Sequence, residues 1–250
     1  MLKVEKLSCG YGDSSVLREL SFELKEGEVL SLIGPNGAGK TSGLLCIMGL
    51  VDCHGGNTFF KNKNITALPS EKRILEGLAI VPEGRRIFPN LTVFENLMAG
   101  GHILSREECE KGVLKSYDYF PILKERKDQK AGLLSGGEQQ MLAVSRGLMV
   151  NPQVLLVDEI SLGLMPKMVD ECYRVLKRLK DDGLSIILVE QNTEKSLEFG
   201  DQVIMLEAGQ IVWKGDSVTA IEEKIDIDSM DENRMASGSK NSCSRKPPSP

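Results

Sequence analysis

A glycine-rich segment, "GPNGAGKT", is the clearest candidate for chemistry in this chain. It follows a short apolar run, opens a helical pattern, and matches the phosphate-loop pattern G-x-x-x-x-G-K-[ST]. Its glycines let backbone N–H groups turn toward a polyphosphate, and the helix start adds partial positive charge. We therefore expect Lys40 to reach the β- and γ-phosphates of a nucleotide and the Thr41 hydroxyl to ligate Mg²⁺. The predicted nucleotide-binding set is Gly34, Pro35, Asn36, Gly37, Ala38, Gly39, Lys40, Thr41 and Ser42.

A pair of acids, Asp158 and Glu159, ends the apolar segment "QVLLVDE". At the C-terminal end of a buried strand, Asp158 can hold Mg²⁺, and Glu159 can orient and activate a water. The plainer alternative is two solvated acids that cap the next helix. Because the same chain carries the phosphate-loop pattern, we favour the functional interpretation.

The segment "LLSGGEQQ" predicts a second helix start that could bind an anion. Ser135 and Glu138 form an S-x-x-E capping box, and we expect Gly136 and Gly137 to leave the helix start bare for a phosphate. An ordinary well-capped helix is the alternative. Since one nucleotide already occupies the phosphate loop, the second start would serve a nucleotide held by another chain, which predicts a head-to-tail dimer.

A charged loop follows the apolar run at the start of "AIVPEGRRIFPNLTVFENL". Pro82 ends the predicted strand, and Glu83 then lies beside Arg85 and Arg86. Taken alone, this composition is typical of a surface loop with an internal Glu–Arg pair.

A framework of strands and helices has to position these segments. Buried or alternating apolar runs predict strands at "LKVEKLS", "EVLSLIG", "GNTFF", "LAIVP", "QVLLVDE" and "LSIILVE". The segment "DQVIMLEAGQIVWKG" predicts a hairpin around Glu207-Ala208-Gly209-Gln210. Helical patterns cover 40–50, "SEKRILEGL", 91–129 with Ser105 as an N-cap, and "PKMVDECYRVLKRLKDDG".

The order of these elements predicts an α/β fold. Continuous apolar strands that alternate with helices imply a mostly parallel sheet covered on both faces. The helix-rich middle, about 91–133, interrupts the alternation and is predicted to be an inserted helical subdomain. After about residue 223 the apolar pattern gives way to Ser, Lys and Pro, so we expect 224–250 to be a disordered tail.

Composition narrows the class of protein. The 250 residues carry a net charge of −5 with both signs dispersed, which argues against nucleic acid as a partner. Six scattered cysteines without a C-x-x-C pair indicate reduced thiols, and a metal site at Cys53-His54 is improbable. We find neither a signal peptide nor a run of about 20 apolar residues.

The phosphate loop, "LSGGEQQ" and "LLVDE", in this order and spacing, resemble an ABC-transporter nucleotide-binding subunit over residues 2–215. The resemblance implies a P-loop NTPase fold with an antiparallel β subdomain beside the core sheet. It implies an ATPase domain at 1–223 with a helical subdomain at about 91–150. In that family Tyr11, in "CGYGDSSVL", would stack on adenine, and Glu83 would lie in the Q-loop that contacts Mg²⁺ and the membrane subunits. Gln191, in "ILVEQN", takes the switch position that is commonly His.

Further segments resemble the LivF type, the ATPase of branched-chain amino acid importers. These are "VPEGRRIFPNLTVFENL", "LSGGEQQMLAVSRGLM", "SLGLMP" and "LLVDE…LVEQN". Glu83 and Gln191 are usual for that type, whereas a urea-importer ATPase would carry Gln at the first position. Ile160 is a departure, because the family has proline there and isoleucine lacks proline's fixed φ.

The resemblance implies a mechanism and partners. Two ATP molecules would bind between this chain and a second ABC ATPase subunit, in a heterodimer or a homodimer. Glu159 would be the sole base for the attacking water, with Lys40 and Mg²⁺ stabilising charge and Gln191 orienting water or sensing phosphate. Two integral membrane permeases would dock on the Q-loop and helical insert at the cytoplasmic face of the inner membrane, and a solute-binding protein would act indirectly.

Three alternatives stay open at this point. The chain could serve a related importer, for urea, amides or another amino acid. It could be a soluble ABC ATPase of DNA repair or the ribosome, although those usually carry a coiled-coil insertion or two ATPase domains. It could be a non-catalytic subunit, which the intact Lys40, Asp158 and Glu159 argue against.

Overall fold

The structure is a computed structural model that describes residues 1–223, so the predicted tail at 224–250 lies outside the described residues. The strands, in chain order, are β1 (Leu2–Tyr11), β2 (Ser14–Leu24), β3 (Val29–Ile33), β4 (Asp52–Phe60), β5 (Lys63–Asn64), β6 (Leu78–Val81), β7 (Val154–Asp158), β8 (Ser185–Val189), β9 (Gln202–Glu207) and β10 (Gln210–Asp216). The helices are α1 (Lys40–Ile47), α2 (Ser70–Glu76), α3 (Val93–Gly100), α4 (Arg106–Tyr119), α5 (Pro121–Glu125), α6 (Gly136–Leu148), α7 (Pro166–Asp181), α8 (Thr193–Phe199) and α9 (Ser217–Glu222), with a 3₁₀ helix at Ala131–Leu133.

Two sheets follow from two strand patterns. The larger sheet has the order β10-β9-β3-β8-β7-β6, with β10 antiparallel to β9 and the other neighbours parallel. Its central strands β3, β7 and β8 are buried throughout, as their unbroken apolar runs predict. The smaller sheet, β2-β1-β4-β5, is antiparallel, and its first two strands mix buried with exposed positions. The predicted α/β fold with a mostly parallel sheet is therefore confirmed.

Each face of the larger sheet has its own hydrophobic core. Along β7, Leu155 and Val157 pack with the helical segment α3–α7, whereas Val154 and Leu156 pack with α1 and the antiparallel sheet. The alternation of side chains along a strand makes this division. The sheet edge that carries the C-terminal ends of β3, β6 and β7 consequently lies between the two layers and can receive loops from both.

Local chemistry sets several element boundaries. The predicted run 91–129 is three helices, since Gly100 and Gly101 end α3 and Pro121 begins α5. The predicted N-cap Ser105 is confirmed, because its hydroxyl accepts a bond from the Glu108 N–H and that carboxylate bonds back to Ser105. The helix predicted to reach residue 50 ends at Ile47.

The sequence patterns did not predict strand β2 or helices α8 and α9. In β2 the period of two is interrupted at Glu19, a non-glycine residue with φ +52°, opposite a similar irregularity at Lys6 with φ +46°. The Ser8 hydroxyl accepts a hydrogen bond from the Glu19 N–H there. A β-bulge of this kind shifts the alternation and hides a strand from a simple pattern.

Within residues 1–223, every helix falls short of the length and apolarity that a bilayer crossing requires.

Candidate functional site

A cavity of about 420 Å³ opens above the phosphate loop. It brings together residues from five parts of the chain that are far apart in sequence. Of the predicted residues, it contains most of the phosphate loop, together with Glu83, Glu159 and Gln191. The lining residues are Val16, Asn36, Gly37, Ala38, Gly39, Lys40, Thr41, Ser42, Glu83, Glu159, Leu162 and Gln191.

The phosphate loop obtains its shape from two distant backbone segments. Gly34 has φ +147°, and a Cβ there would lie 2.1 Å from the carbonyl oxygen of Leu206, so only glycine fits. The N–H of Gly209, in the β9–β10 turn, donates to the carbonyl of Ala38 at 3.2 Å. Gly39, with φ +97°, is the N-cap of α1 and has no side chain to cap the first turn, so the first-turn N–H groups are left without a side-chain acceptor, as an anion site requires.

Lys40 is buried at the base of the loop. Its Nζ donates to the carbonyl oxygens of Gly34, at 2.6 Å, and Pro35, at 3.0 Å. Burial lowers the pKa of Lys40, and the nearby carboxylates of Glu159 and Asp158 oppose that effect. Gly34 and Pro35 are thus placed beneath the cavity, where they position Lys40 through their carbonyl groups.

Thr41 and Asp158, the two residues predicted to ligate Mg²⁺, lie next to each other. The Thr41 hydroxyl donates to Asp158 Oδ1 at 3.1 Å. Burial is the largest cause that raises the pKa of Asp158 to about 6; the charges of Glu159 and Glu83 contribute to the rise, and the Thr41 bond partly opposes it. The described residues contain no cluster of three or more His, Cys, Asp or Glu that could hold a metal ion. Since Mg²⁺ commonly takes one or two carboxylates and completes its shell with water and phosphate oxygens, this pair fits Mg²⁺.

Glu159 adopts a backbone conformation that is rare for its residue type. Its φ is +49°, in the left-handed region, and its N–H donates to the carbonyl of Val189 at 2.9 Å. Its carboxylate Oε1 accepts a 2.7 Å bond from Nε2 of Gln191. The predicted base and the predicted switch residue are therefore directly bonded to each other.

The helix start at Ser135 lies elsewhere on the molecule. The capping box of Ser135 and Glu138 is confirmed. Gly136 and Gly137 have close neighbours where a Cβ would stand, and the expected access of a phosphate to their N–H groups stays a prediction. A Cβ on Gly137 would lie 2.5 Å from Cε of Met168, and one on Gly136 would lie 3.1 Å from the Arg85 guanidinium. We call Ser135, Gly136, Gly137 and Glu138 the signature residues, and α6, which starts with them, the signature helix. None of these four residues is among the described residues that line the cavity.

Arg85 also corrects the interpretation of the charged loop. Its Nη1 donates to Oε1 of Gln139 in α6, at 3.1 Å, rather than to the Glu83 carboxylate. Arg86 reaches only the backbone carbonyl of Glu83, at 3.4 Å. The simple internal Glu–Arg pair is therefore wrong, and the loop instead joins the cavity, through Glu83, to the signature helix, through Arg85.

Tyr11 is not among the described residues that line the cavity, although its strand partner is close in sequence to one of them. It is 56% exposed at the end of β1 and pairs with Ser14, two residues before the lining residue Val16. Its role toward adenine stays a prediction. Val16 and Leu162 were missed because an apolar lining residue carries no motif of its own.

Comparison with known proteins places the chain in a family. The model of the ABC transporter family matches residues 17–161. The chain is 42% identical over 212 residues to BraG, a high-affinity branched-chain amino acid transport ATP-binding protein of Pseudomonas aeruginosa, covering 85% of this chain and 91% of the relative. It is 36% identical over 225 residues to a probable LivF of Archaeoglobus fulgidus, covering 90% and 95%.

Solved structures agree with this placement. The ADP conformation of MJ1267, an ATP-binding cassette of an ABC transporter, matches with a TM-score of 0.83 and 25% identity, over 93% of this chain and 98% of that chain. A dimeric post-hydrolysis state of the cassette MJ0796, bound to ADP and Pi, matches with a TM-score of 0.77 and 25% identity, over 87% and 99%. By its motifs, its fold and these relatives, the chain belongs to the ABC transporter family as an ATP-hydrolysing subunit.

Proposed function

We propose that the chain hydrolyses MgATP in the cavity above its phosphate loop and thereby drives an importer of branched-chain amino acids. The proposal of ATP hydrolysis rests on the position of Glu159. It lines the same cavity as Lys40 and Thr41 and is hydrogen-bonded to Gln191. The substrate class rests on the similarity to BraG and LivF.

Each residue has a role that its position supports. The N–H groups of the phosphate loop and the first turn of α1 bind the phosphates, and Lys40 exchanges its carbonyl partners for phosphate oxygens. Thr41 and Asp158, with Glu83 nearby, would hold Mg²⁺, which neutralises charge on the β- and γ-phosphate oxygens when bound.

Glu159 acts on the attacking water. Because Gln191 bonds to Oε1, the second carboxylate oxygen is left to accept a hydrogen bond from the water and to draw its proton. A glutamine side chain does not titrate, so Gln191 orients Glu159 by hydrogen bonding alone. Preorganisation of this kind lowers the cost of reaching the transition state.

The second half of each site comes from a partner ATPase subunit. Ser135, Gly136, Gly137 and Glu138 lie outside this chain's own cavity, and a helix start there suits the phosphate of a nucleotide bound to the partner. The dimeric MJ0796 cassette, bound to ADP and Pi, supports this arrangement.

Two membrane permeases would dock beside the Q-loop and hold the chain at the cytoplasmic face of the membrane. Phe88 is 45% exposed there, with the Arg146 guanidinium 4.5 Å from its ring centroid, and Leu91 and Phe94 are exposed next to it. An apolar patch with a cation at its centre suits a protein partner. A solute-binding protein would contact the permeases and not this chain.

The test uses the complex reconstituted with the permeases that co-purify with the chain. We expect leucine uptake that requires ATP, and we expect Glu159→Gln to bind ATP normally while turnover falls by roughly 100-fold or more. Near-normal turnover of E159Q would reject the assigned base. Normal hydrolysis with uptake of urea instead of leucine would reject the substrate class and leave the base intact.

A further inference from the structure

Glu190 is a fully buried carboxylate next to the cavity that the mechanism above does not use. Only 1% of its surface is exposed. It follows β8 and precedes Gln191, and its backbone N–H points to the carbonyl of Leu32, in β3, at 3.4 Å. A carboxylate is costly to bury unless hydrogen-bond donors compensate it, so its partners show what it positions.

Those partners include the backbone N–H of Gln191 and two donors of Ser161, two residues after Glu159. The Ser161 N–H donates to Glu190 Oε1 at 3.0 Å, and the Ser161 hydroxyl donates to Oε2 at 2.7 Å. Both oxygens of the carboxylate therefore contact one residue. Hydrogen bonds to an ionised acceptor are stronger than neutral ones, and two of them fix the orientation of Ser161.

These bonds extend the pairing of β7 and β8 beyond the end of the sheet. The last paired positions are Asp158 and Val189. After them, the Glu159 N–H donates to Val189, Gln191 donates to the Glu159 carboxylate, and Ser161 donates to Glu190. Glu159 and Ser161 are thus bonded to the three residues 189–191, mostly through side chains.

The segment needs such support for its geometry. Glu159 has φ +49°, a conformation that an L-residue keeps only when its surroundings hold it. Ile160 is buried in the core beside α7 but does not fix its own φ as proline would. Beyond Ser161 the chain turns outward, with Leu162 on the cavity wall and Met165 exposed. Ser161 is consequently held by two hydrogen bonds just before an exposed part of the loop.

We propose that Glu190 is a positioning residue for ATP hydrolysis, which holds Ser161 and thereby keeps the Glu159 carboxylate and Leu162 in place at the cavity. The inference rests on the proposed role of Glu159. It assigns Glu190 an effect on turnover rather than on nucleotide binding, since its carboxylate accepts hydrogen bonds from Ser161 and not from the phosphate loop. Its charge still acts on Lys40, where it opposes the lowering of the pKa by burial.

The test measures kcat, KM for ATP and the melting temperature of the full chain in its reconstituted complex. We expect Glu190→Ala to lower kcat by roughly 10- to 100-fold, because small displacements of a catalytic group cost that much, with KM changed less than about threefold. Ser161→Ala should lower kcat several-fold. In the double variant the two losses should not multiply, since both remove the same contact.

The conservative variant Glu190→Gln distinguishes a role in positioning Ser161 from a role that needs the negative charge of Glu190. In Glu190→Gln the amide oxygen can accept from the Ser161 N–H, while the amide NH₂ donates to a Ser161 hydroxyl that now accepts. We therefore expect kcat within about threefold of wild type. A role that required the negative charge would leave this variant as slow as E190A.

Ser185 supplies a matched control at the other end of β8. Its buried hydroxyl accepts from the Gly27 N–H at 3.0 Å and donates to the Lys25 carbonyl at 3.1 Å. Ser185→Ala should lower the melting temperature without changing kcat. If E190A does not fold, S161A and E190Q decide the matter.

Three results would overturn the inference. These are wild-type kcat in S161A or E190A, a multiplicative loss in the double variant, and an E190Q variant as slow as E190A. The turnover of E159Q, measured in parallel, distinguishes the two proposals. Near-normal turnover of E159Q rejects the proposed role of Glu159. Loss of turnover in E159Q together with wild-type kcat in S161A rejects only the role of Glu190.

Discussion

At the scale of single residues, the carboxylates of Glu83 and Glu159 line the cavity with Lys40 and Thr41, and the Asp158 carboxylate is hydrogen-bonded to Thr41. Burial, together with the charges of Glu159 and Glu83, raises the pKa of Asp158 to about 6. Its ionised form is therefore unfavourable in the nucleotide-free protein. A cation at the proposed Mg²⁺ site would favour the ionised form, so Asp158 should lower the stability of the nucleotide-free protein.

Asp158→Asn should raise the stability of the nucleotide-free chain while it removes Mg²⁺-dependent ATP binding. An unfolded aspartate titrates near pH 4, so the ionisation penalty in the wild type grows as pH rises from about 4 and is complete above about 6. At about pH 7.5 we expect a gain of about 1–2 kcal/mol in the free energy of unfolding, measured by urea titration, that shrinks toward zero as pH falls to about 4.

The matched control for this prediction is Asp170→Asn. Asp170 forms a surface ion pair with Lys195, and such pairs contribute little to stability. This variant should stay close to wild type at both pH values. A gain in D158N that does not depend on pH would contradict the assigned cause.

At the scale of elements, the loop between β6 and α3 connects the cavity to the signature helix. Gly84, Arg85 and Arg86 have φ values of +77°, +63° and +44° in succession. Two consecutive non-glycine residues in the left-handed region store roughly 1–3 kcal/mol each. Contacts to α6 hold the loop in this shape, through the Arg85–Gln139 bond and the 2.6 Å bond from Arg146 to the Arg86 carbonyl.

Arg85→Ala should reduce transport per ATP hydrolysed. The variant loses the contact that joins the cavity loop to α6, while Glu83 stays at the cavity, so hydrolysis should remain within about threefold of wild type. We expect transport per ATP in proteoliposomes to fall about fivefold, and a similar fall for Phe88→Ala at the exposed patch.

Arg86 provides the comparison for Arg85. It has the same charge in the same loop, but its side chain reaches only the Glu83 carbonyl. Arg86→Ala should keep the wild-type ratio of transport to hydrolysis. An equal fall in R86A, or an unchanged ratio in R85A, would refute the role of the α6 contact.

The same loop shows what sequence reasoning could and could not predict. Strands with unbroken apolar runs, and helices begun by S-x-x-E boxes, were predictable because their causes are local. The box at Thr92 and Glu95 is equally local and was overlooked. The partners of Arg85 and Glu190 lie 54 and 29 residues away, so only the packed fold reveals them. Motifs predicted the polar side chains that line the cavity, but neither the apolar Val16 and Leu162 nor the side chains that hold the lining residues in place.

At the scale of the whole molecule, the proposed function gives each chain halves of two different nucleotide sites. The cavity lies at the sheet edge, whereas Ser135 caps α6 and is not among the described residues that line the cavity. On this proposal a single chain completes neither site. Assembly should depend on bound ATP, because the nucleotide supplies contacts to both halves.

We expect the slow variant E159Q to dimerise in MgATP but not in MgADP, alone or with its co-purifying ATPase subunit, as measured by analytical ultracentrifugation. Adding Ser135→Ala should weaken the dimer at least tenfold, since it removes a predicted phosphate contact and a cap worth about 1 kcal/mol. Adding Ser105→Ala removes an identical capping box in α4 and should not affect dimerisation. Equal weakening by both serine variants would contradict the proposed site.

The placement of β3 has a consequence for biosynthesis. This strand is made early, yet it pairs only with β8 and β9, and Ile33 lies opposite Met205, about 170 residues further along. The antiparallel sheet, by contrast, pairs strands within the first 64 residues and can form as they emerge. At 5–20 residues per second, about 10–30 s separate translation of the phosphate loop from that of the strands that support it. During that interval the nascent chain exposes an apolar strand and cannot yet bind ATP, so chaperone demand should be concentrated in the middle of translation.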